Sequence, residues 1–292
     1  MRFVTFSENG TRPYRVGVLV AKDGSDFIID LAHTGLSQPS IRSLLEATEG
    51  NLSAVKDIIH KATPHAYLEI AKVKLAPVVP DPDKIICIGL NYKDHAEETK
   101  LALPETPTVF AKYPNTLIGS GQAIVLPKNS TRVDYEAEFA FIVGKRARHI
   151  SVEQALGYVA GYTVFNDVSA RDYQLRVTQW TLGKSFDTFA PVGPSLVTRD
   201  ESADPHNLGI RLWIGDEMLQ NSNTNNLIFG VSELLSHLSS VMTLEPGDIV
   251  ATGTPAGVGF TRNPPRYLQD GERVRIEIDG LGVLENPVIS EL

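Results

Sequence analysis

A single cysteine, Cys87, is all the chain of 292 residues carries, which excludes an internal disulfide framework and fits a reducing compartment. Long apolar runs are also missing: none approaches the ~20 residues of a membrane-spanning helix. The opening MRFVTF has neither a secretory h-region nor the Arg/Ser-rich character of a transit peptide, and it reads as a first strand. The expected location is the cytoplasm, with the mitochondrion left open. Positive charge is scarce. A net charge of −8 argues against a binder of phosphate backbones, so neither nucleic acid nor membrane is an expected partner. Several catalytic signatures are missing as well. There is no P-loop ending in Gly-Lys-Ser/Thr, no G-x-G-x-x-G opening a helix, no H-E-x-x-H and no G-x-S-x-G. Nucleotide folds, tetrahedral zinc sites and α/β-hydrolase chemistry lose their support.

What is present is the composition of an ordinary globular enzyme, 42% hydrophobic and 21% charged. Short strand patterns open the chain at Arg2–Phe6, Arg15–Ala21 and Phe27–Asp30. Helical patterns follow at Ser40–Ala47 and Leu52–Lys61. APVVPDPDK, Ala76 to Lys84, holds three prolines and reads as a linker. Beyond it come short β-type runs at Ile85–Ile88, Thr108–Ala111, Tyr135–Val143, Val159–Asn166, Ile210–Gly215, Asp248–Ala251 and Val274–Ile278. Helices are expected at Val152–Tyr158 and Val231–Leu238, and the strands are not separated regularly by long helices, so a doubly wound parallel sheet is disfavoured. The expected class is α+β and mainly β: a small N-terminal α+β domain over residues 1–78 and a mixed-β catalytic domain over 79–292.

Four stretches carry candidate chemistry. In VDYEAEFAFIVG, Asp134, Glu136 and Glu138 alternate with apolar residues, so a continuous strand puts all three on one face, about 6.7 Å apart. Such a row is either a solvated sheet face or a platform for something positive. In GYTVFNDVSARDYQ a β run ends at Asp167, which on its own suits a helix N-cap as well as a cavity carboxylate. In IICIGLNYKDHAEETK, His95 and Glu98 stand three apart on one face of a short helix, a spacing that also suits an exposed surface pair. TGTPAGVGF is a glycine-rich turn after a strand. Carboxylates at i and i+2, with a third from another strand end, form a hard oxygen site that prefers Mg²⁺, Mn²⁺ or Ca²⁺. Cys87, inside IICIG, reads as a buried, inert thiol.

The blocks GLNYKDHAEE, DYEAEFAFIVGK, AGYTVFNDVSARDYQ, LGKSFDTFAPVGP and TGTPAGVG resemble, in this order, the fumarylacetoacetate hydrolase family. ADPHNL, NTNNLIFG and NPPRYLQDGERVRIEIDGLG resemble its domain-containing-protein-two subgroup. The resemblance implies the family's mixed β-sandwich roll. It implies metal ligands at Glu136, Glu138 and Asp167, a catalytic pair at His95 and Glu98, and a catalytic lysine at Lys184. Substrate contacts fall on Arg171, Gln174 and Thr254. Where fumarylacetoacetase has a further metal-binding Asp this chain has Asn91, and a long substrate-binding insertion is missing, which argues against fumarylacetoacetate as substrate.

The implied chemistry is an enolate of a small 2-oxo acid held on Mg²⁺ or Mn²⁺, with Lys184 and Arg171 as electrostatic stabilisers and His95 moving the proton. Without the resemblance, Arg171 reads as a structural ion pair and Lys184 as a solvated turn lysine. The leading expectation is C–C cleavage, by acylpyruvate hydrolysis or oxaloacetate decarboxylation. Keto–enol tautomerisation of oxaloacetate is the alternative, and a silent binding protein of the same fold the remote one. Thr99–Pro107 is expected to act as a lid, and Asp134 to pair with a base such as Arg132 or to hold the strand entry. The resemblance also implies a homodimer.

Overall fold

Four N-terminal strands, Arg2–Ser7, Arg15–Lys22, Ser25–Asp30 and Tyr67–Glu69, pair antiparallel in succession. A computed structural model describes residues 1–292 except 23, 37 and 203. Arg2–Ser7 also pairs antiparallel with Ala190–Thr198, Phe3 opposite Leu196. The N-terminal strands thereby continue a twelve-stranded sheet that runs on through Val159–Asn166, Ala137–Val143, Ile249–Ala251, Ile85–Gly89 and Thr108–Lys112. Only short helices interrupt this order, as expected from an α+β chain. Ser40 caps the helix Ile41–Ala47 by accepting from Ser43 N, so the helix starts where the sequence pattern placed it.

A second, five-stranded sheet contains Glu217–Asn223, Gly209–Ile214, Arg273–Ile278, Gly282–Ser290 and Ile124–Leu126. Its Ile210, Leu212, Ile276 and Leu284 share one core with Phe139, Phe141 and Tyr162, closed by Leu234, Leu235 and Leu238 of the helix Val231–Val241. On the opposite face, Ala140 and Ile142 pack with Phe3, Val16, Leu44 and Leu45. Ala137–Val143 is therefore buried on both faces, odd residues toward one core and even toward the other.

Three strands depart from the expected pattern. Ala190–Thr198 is central although Pro191 and Pro194 disfavour it there; the pairing with Val159–Asn166 shifts register next to Gly193 to accommodate it. Glu217–Asn223, EMLQNSN, is too polar to read as a strand, and tertiary pairing with Gly209–Ile214 imposes it. Gly282–Ser290 holds an internal proline and was equally silent.

Candidate active site

The acidic stretch is two strands rather than one. Val133–Asp134 pairs with Ser169–Ala170, and regular pairing resumes only at Ala137 opposite Asn166. In the break, Glu136 N donates to Asn166 Oδ1 at 3.1 Å and Asp167 N donates to Glu136 O at 3.0 Å. These two bonds stitch the strand ends side by side and bring Glu136, Glu138 and Asp167 together. One carboxylate oxygen from each lies within 4.8 Å of the others, and all three residues are buried.

Cations surround this cluster unevenly. Lys184 Nζ donates to Glu136 Oε2 at 2.8 Å and to Asp167 Oδ2 at 2.6 Å. Lys112 Nζ holds the other Asp167 oxygen at 2.6 Å. Arg171 Nη2 faces Glu136 Oε1 at 2.7 Å. Glu138 has the Gly253 N–H at 2.8 Å and, among the described residues, no ion-pair partner. Burial, with Asp167 and Glu136 beside it, pushes its carboxyl well above the usual range. Burial acts on Glu136 too, but Lys184 and Arg171 outweigh it and hold that carboxyl low. A hard divalent cation fits this donor set: three carboxylates converge, and one of them lacks a positive partner.

Asp134 does not pair with Arg132, which is exposed. Asp134 is buried, and its Oδ2 accepts from Arg171 Nε at 2.8 Å. The backbone N–H groups of Tyr135, Gly259 and Phe260 complete its shell. Arg171 also donates from Nη1 to Gln174 Oε1 at 2.8 Å and lies 4.4 Å from the Phe260 ring centroid. The guanidinium is thus held on three sides by protein while still lining the cavity.

The helix Lys93–Thr99 presents His95 to the cavity that Glu136 and Glu138 line. Its Nδ1 meets Glu98 Oε2 at 2.9 Å, while Glu98 Oε1 accepts from Gly257 N and Thr261 Oγ1, each at 2.9 Å. With Nδ1 committed to a carboxylate, a neutral imidazole carries its proton there and leaves Nε2 free as a base. Burial of Glu98 is outweighed by His95, Gly257 and Thr261, which lower its pKa and keep it ionised. Asn91 ties loops together, donating to Thr252 O at 2.8 Å and Phe229 O at 3.1 Å.

A cavity of ≈ 490 Å³ joins these groups. His95, Glu136, Glu138, Arg171, Gln174, Lys184 and Thr254 line it, with an apolar wall that includes Ile88, Phe110, Trp180 and Phe260. Thr99 and Leu101, at the start of the expected lid, also line it. Asp167 completes the triad, and Glu98 acts from behind His95. Sequence reasoning missed Lys112 and Gln220. Lys112 was legible in part: alternation in TVFAK places Thr108, Phe110 and Lys112 on one face.

Residues 84–289 match the family model described as fumarylacetoacetate (FAA) hydrolase C-terminal. The chain belongs to the fumarylacetoacetate hydrolase family. Among its relatives in that family is a Xenopus laevis protein named "Oxaloacetate tautomerase fahd2, mitochondrial". It is 44% identical over 292 residues, covering 99% of this chain and 90% of that protein. A Dictyostelium discoideum protein named "Fumarylacetoacetate hydrolase domain-containing protein 2 homolog" is 44% identical over 306 residues, covering 99% and 97%. Maleylpyruvate hydrolase from Sphingobium sp. SYK-6, solved in complex with manganese(II) and pyruvate, superposes with a TM-score of 0.82 at 33% identity, covering 100% of both chains. Like other members of the family the chain is an enzyme, and no helix among the described residues is long and apolar enough to cross a membrane.

Proposed function

We propose that the chain interconverts the keto and enol forms of oxaloacetate, with Glu136, Glu138 and Asp167 holding Mg²⁺ or Mn²⁺. The observation that carries this reading is a single oriented imidazole, His95, sharing one cavity with Glu136 and Glu138 of the carboxylate triad. A divalent ion in that triad supplies Lewis-acid polarisation of a 2-oxo group. His95 Nε2 removes a proton from C3, and Glu98 stabilises the imidazolium that results. The same imidazole returns the proton, to carbon or to the C2 oxygen. Lys184 and Arg171 keep positive charge fixed beside the substrate's anionic groups, and Thr254 and Gln174 offer polar contacts. The apolar wall limits water. Relatives at 41–44% identity named oxaloacetate tautomerases support the choice of substrate and reaction.

C–C cleavage, by acylpyruvate hydrolysis or oxaloacetate decarboxylation, is the second reading. It is favoured by likeness to a maleylpyruvate hydrolase solved with a manganese ion and pyruvate. The two are separated by incubating the protein with oxaloacetate and with acetylpyruvate, in Mg²⁺ and then in EDTA. Enol absorbance and pyruvate are followed independently. Metal-dependent loss of enol without pyruvate supports the tautomerase, and pyruvate release supports cleavage. Turnover of neither substrate overturns both. Homodimerisation rests on family likeness, and light scattering tests it. A reducing compartment is proposed, the cytoplasm or, as the name of the Xenopus relative has it, the mitochondrion.

A further inference from the structure

Gln220, on the strand Glu217–Asn223, is 1% exposed, and its hydrogen bonds fix which end of the amide is which. Ala137 N donates to Oε1 at 2.9 Å, so that end must be oxygen. Pro255 O accepts from Nε2 at 2.9 Å, so the other end must be nitrogen. The second amide hydrogen goes to Thr254 Oγ1 at 2.9 Å. A hydroxyl that accepts from an N–H has to send its own proton elsewhere. Among the described residues no acceptor takes it. Thr254 is 5% exposed and lines the cavity, so the proton has the cavity to point into.

We infer that Gln220 is a positioning residue that makes Thr254 a dedicated hydrogen-bond donor to an anionic oxygen of the bound 2-oxo acid. A threonine without such a partner rotates its hydroxyl to suit its surroundings. Here the buried amide removes that freedom, and a donor aimed in advance at a carboxylate in a cavity with an apolar wall is a strong one. Ala137 lies between Glu136 and Glu138, so the same side chain also registers the acidic segment against the glycine-rich turn.

The inference rests on the cavity's being a 2-oxo acid site, and its test separates the two. Mg²⁺-loaded protein is titrated calorimetrically with oxalate, a non-reacting mimic of a 2-oxo acid. In Gln220→Glu, one carboxylate oxygen keeps the Ala137 bond while the other accepts the Thr254 proton and withdraws it from the cavity. Gln220→Met keeps the bulk and removes the constraint. Gln220→Glu and Thr254→Val should each weaken oxalate binding about tenfold. The double variant should bind no more weakly than Thr254→Val alone, because both changes act through one hydroxyl. Thr254→Ser, which keeps that hydroxyl, should keep the sensitivity to Gln220→Glu.

A merely structural role would lower melting temperatures yet leave the affinity of the folded protein unchanged. If Gln220→Glu does not fold, Gln220→Met carries the test, its loss again expected to vanish in the Thr254→Val background. Wild-type affinity in the Gln220 variants, or additive losses in the double variant, would overturn the inference alone. Failure of the wild-type protein to bind oxalate would overturn it together with the proposed function.

Discussion

Lys112 Nζ lies 2.6 Å from Asp167 Oδ1, and both side chains are wholly buried. The ammonium holds one oxygen of the carboxylate while Lys184 holds the other, so Asp167 is fixed at both ends. Burial lowers the pKa of Lys112, so its charge depends on such partners. Lys112→Met keeps the length of the side chain but leaves a buried carboxylate short of positive charge. Breaking a buried pair from one side costs about 3–5 kcal/mol. The metal-free variant should melt lower than wild type, and Mg²⁺ should raise its melting temperature by more, since the ion replaces the missing charge. Thermal scans with Mg²⁺ and with EDTA measure both; an equal rise in the two proteins would count against this account.

Glu138 differs from its neighbours in having no cation against it. Glu138→Gln still offers an oxygen to the Gly253 N–H and relieves the crowding of like charges that raises the carboxyl's pKa. Metal-free stability should therefore hold or rise. What should be lost is stabilisation by the ion, which for a wild-type site at a hundredfold excess over Kd is about 2.7 kcal/mol. A melting temperature that still climbs with Mg²⁺ in Glu138→Gln would remove this residue from the ligand set.

Most of the triad could be read from the chain because its logic is local. Alternation made Glu136 and Glu138 neighbours, and the end of an apolar run placed Asp167 at a strand terminus. Alternation also put Asp134 beside Glu136, and a base does hold it, but that base is Arg171 rather than Arg132; the break at Tyr135 and Glu136 depends on a side-chain bond to Asn166 that no period reveals. Lys112 and Gln220 were harder still. They sit 55 and 83 residues from Asp167 and Ala137, the residues they hold, so only tertiary pairing brings them to the site. Ala190–Thr198 stayed hidden for another reason. Its prolines contradict a central strand, and neighbouring strands override that preference.

Glu98 gives the site a pH signature. His95, Gly257 and Thr261 lower its pKa against the effect of burial. A carboxyl lowered on folding stabilises the protein above about pH 5, and the contribution is lost as pH falls through the lowered value. Glu98→Gln should accordingly melt below wild type near pH 7, and the gap should close on acidification. Its kcat should fall by about 10²-fold or more, as His95 loses both orientation and a counter-charge. Melting curves from pH 3 to 7, beside initial rates, test the two together; a gap that widens in acid would refute the linkage.

Asp134 shares the Arg171 guanidinium with Glu136, and its replacement separates a supporting role from a ligand role. It is fully buried and accepts from Arg171 Nε and three backbone N–H groups. In Asp134→Asn the amide end cannot accept, and since each oxygen takes two N–H donors, two of them are orphaned while Arg171 loses a carboxylate counter-charge. Removing one partner of a buried ion pair predicts a loss of about 3–5 kcal/mol in urea unfolding, with little change in slope. Arg171 also faces Glu136 Oε1 at 2.7 Å, so loosening the guanidinium loosens an oxygen of a proposed ligand. Affinity for Mn²⁺ should weaken, but far less than in Glu136→Gln, because all three proposed ligand carboxylates remain. Loss of Mn²⁺ binding as complete as in Glu136→Gln would instead make Asp134 a ligand in its own right.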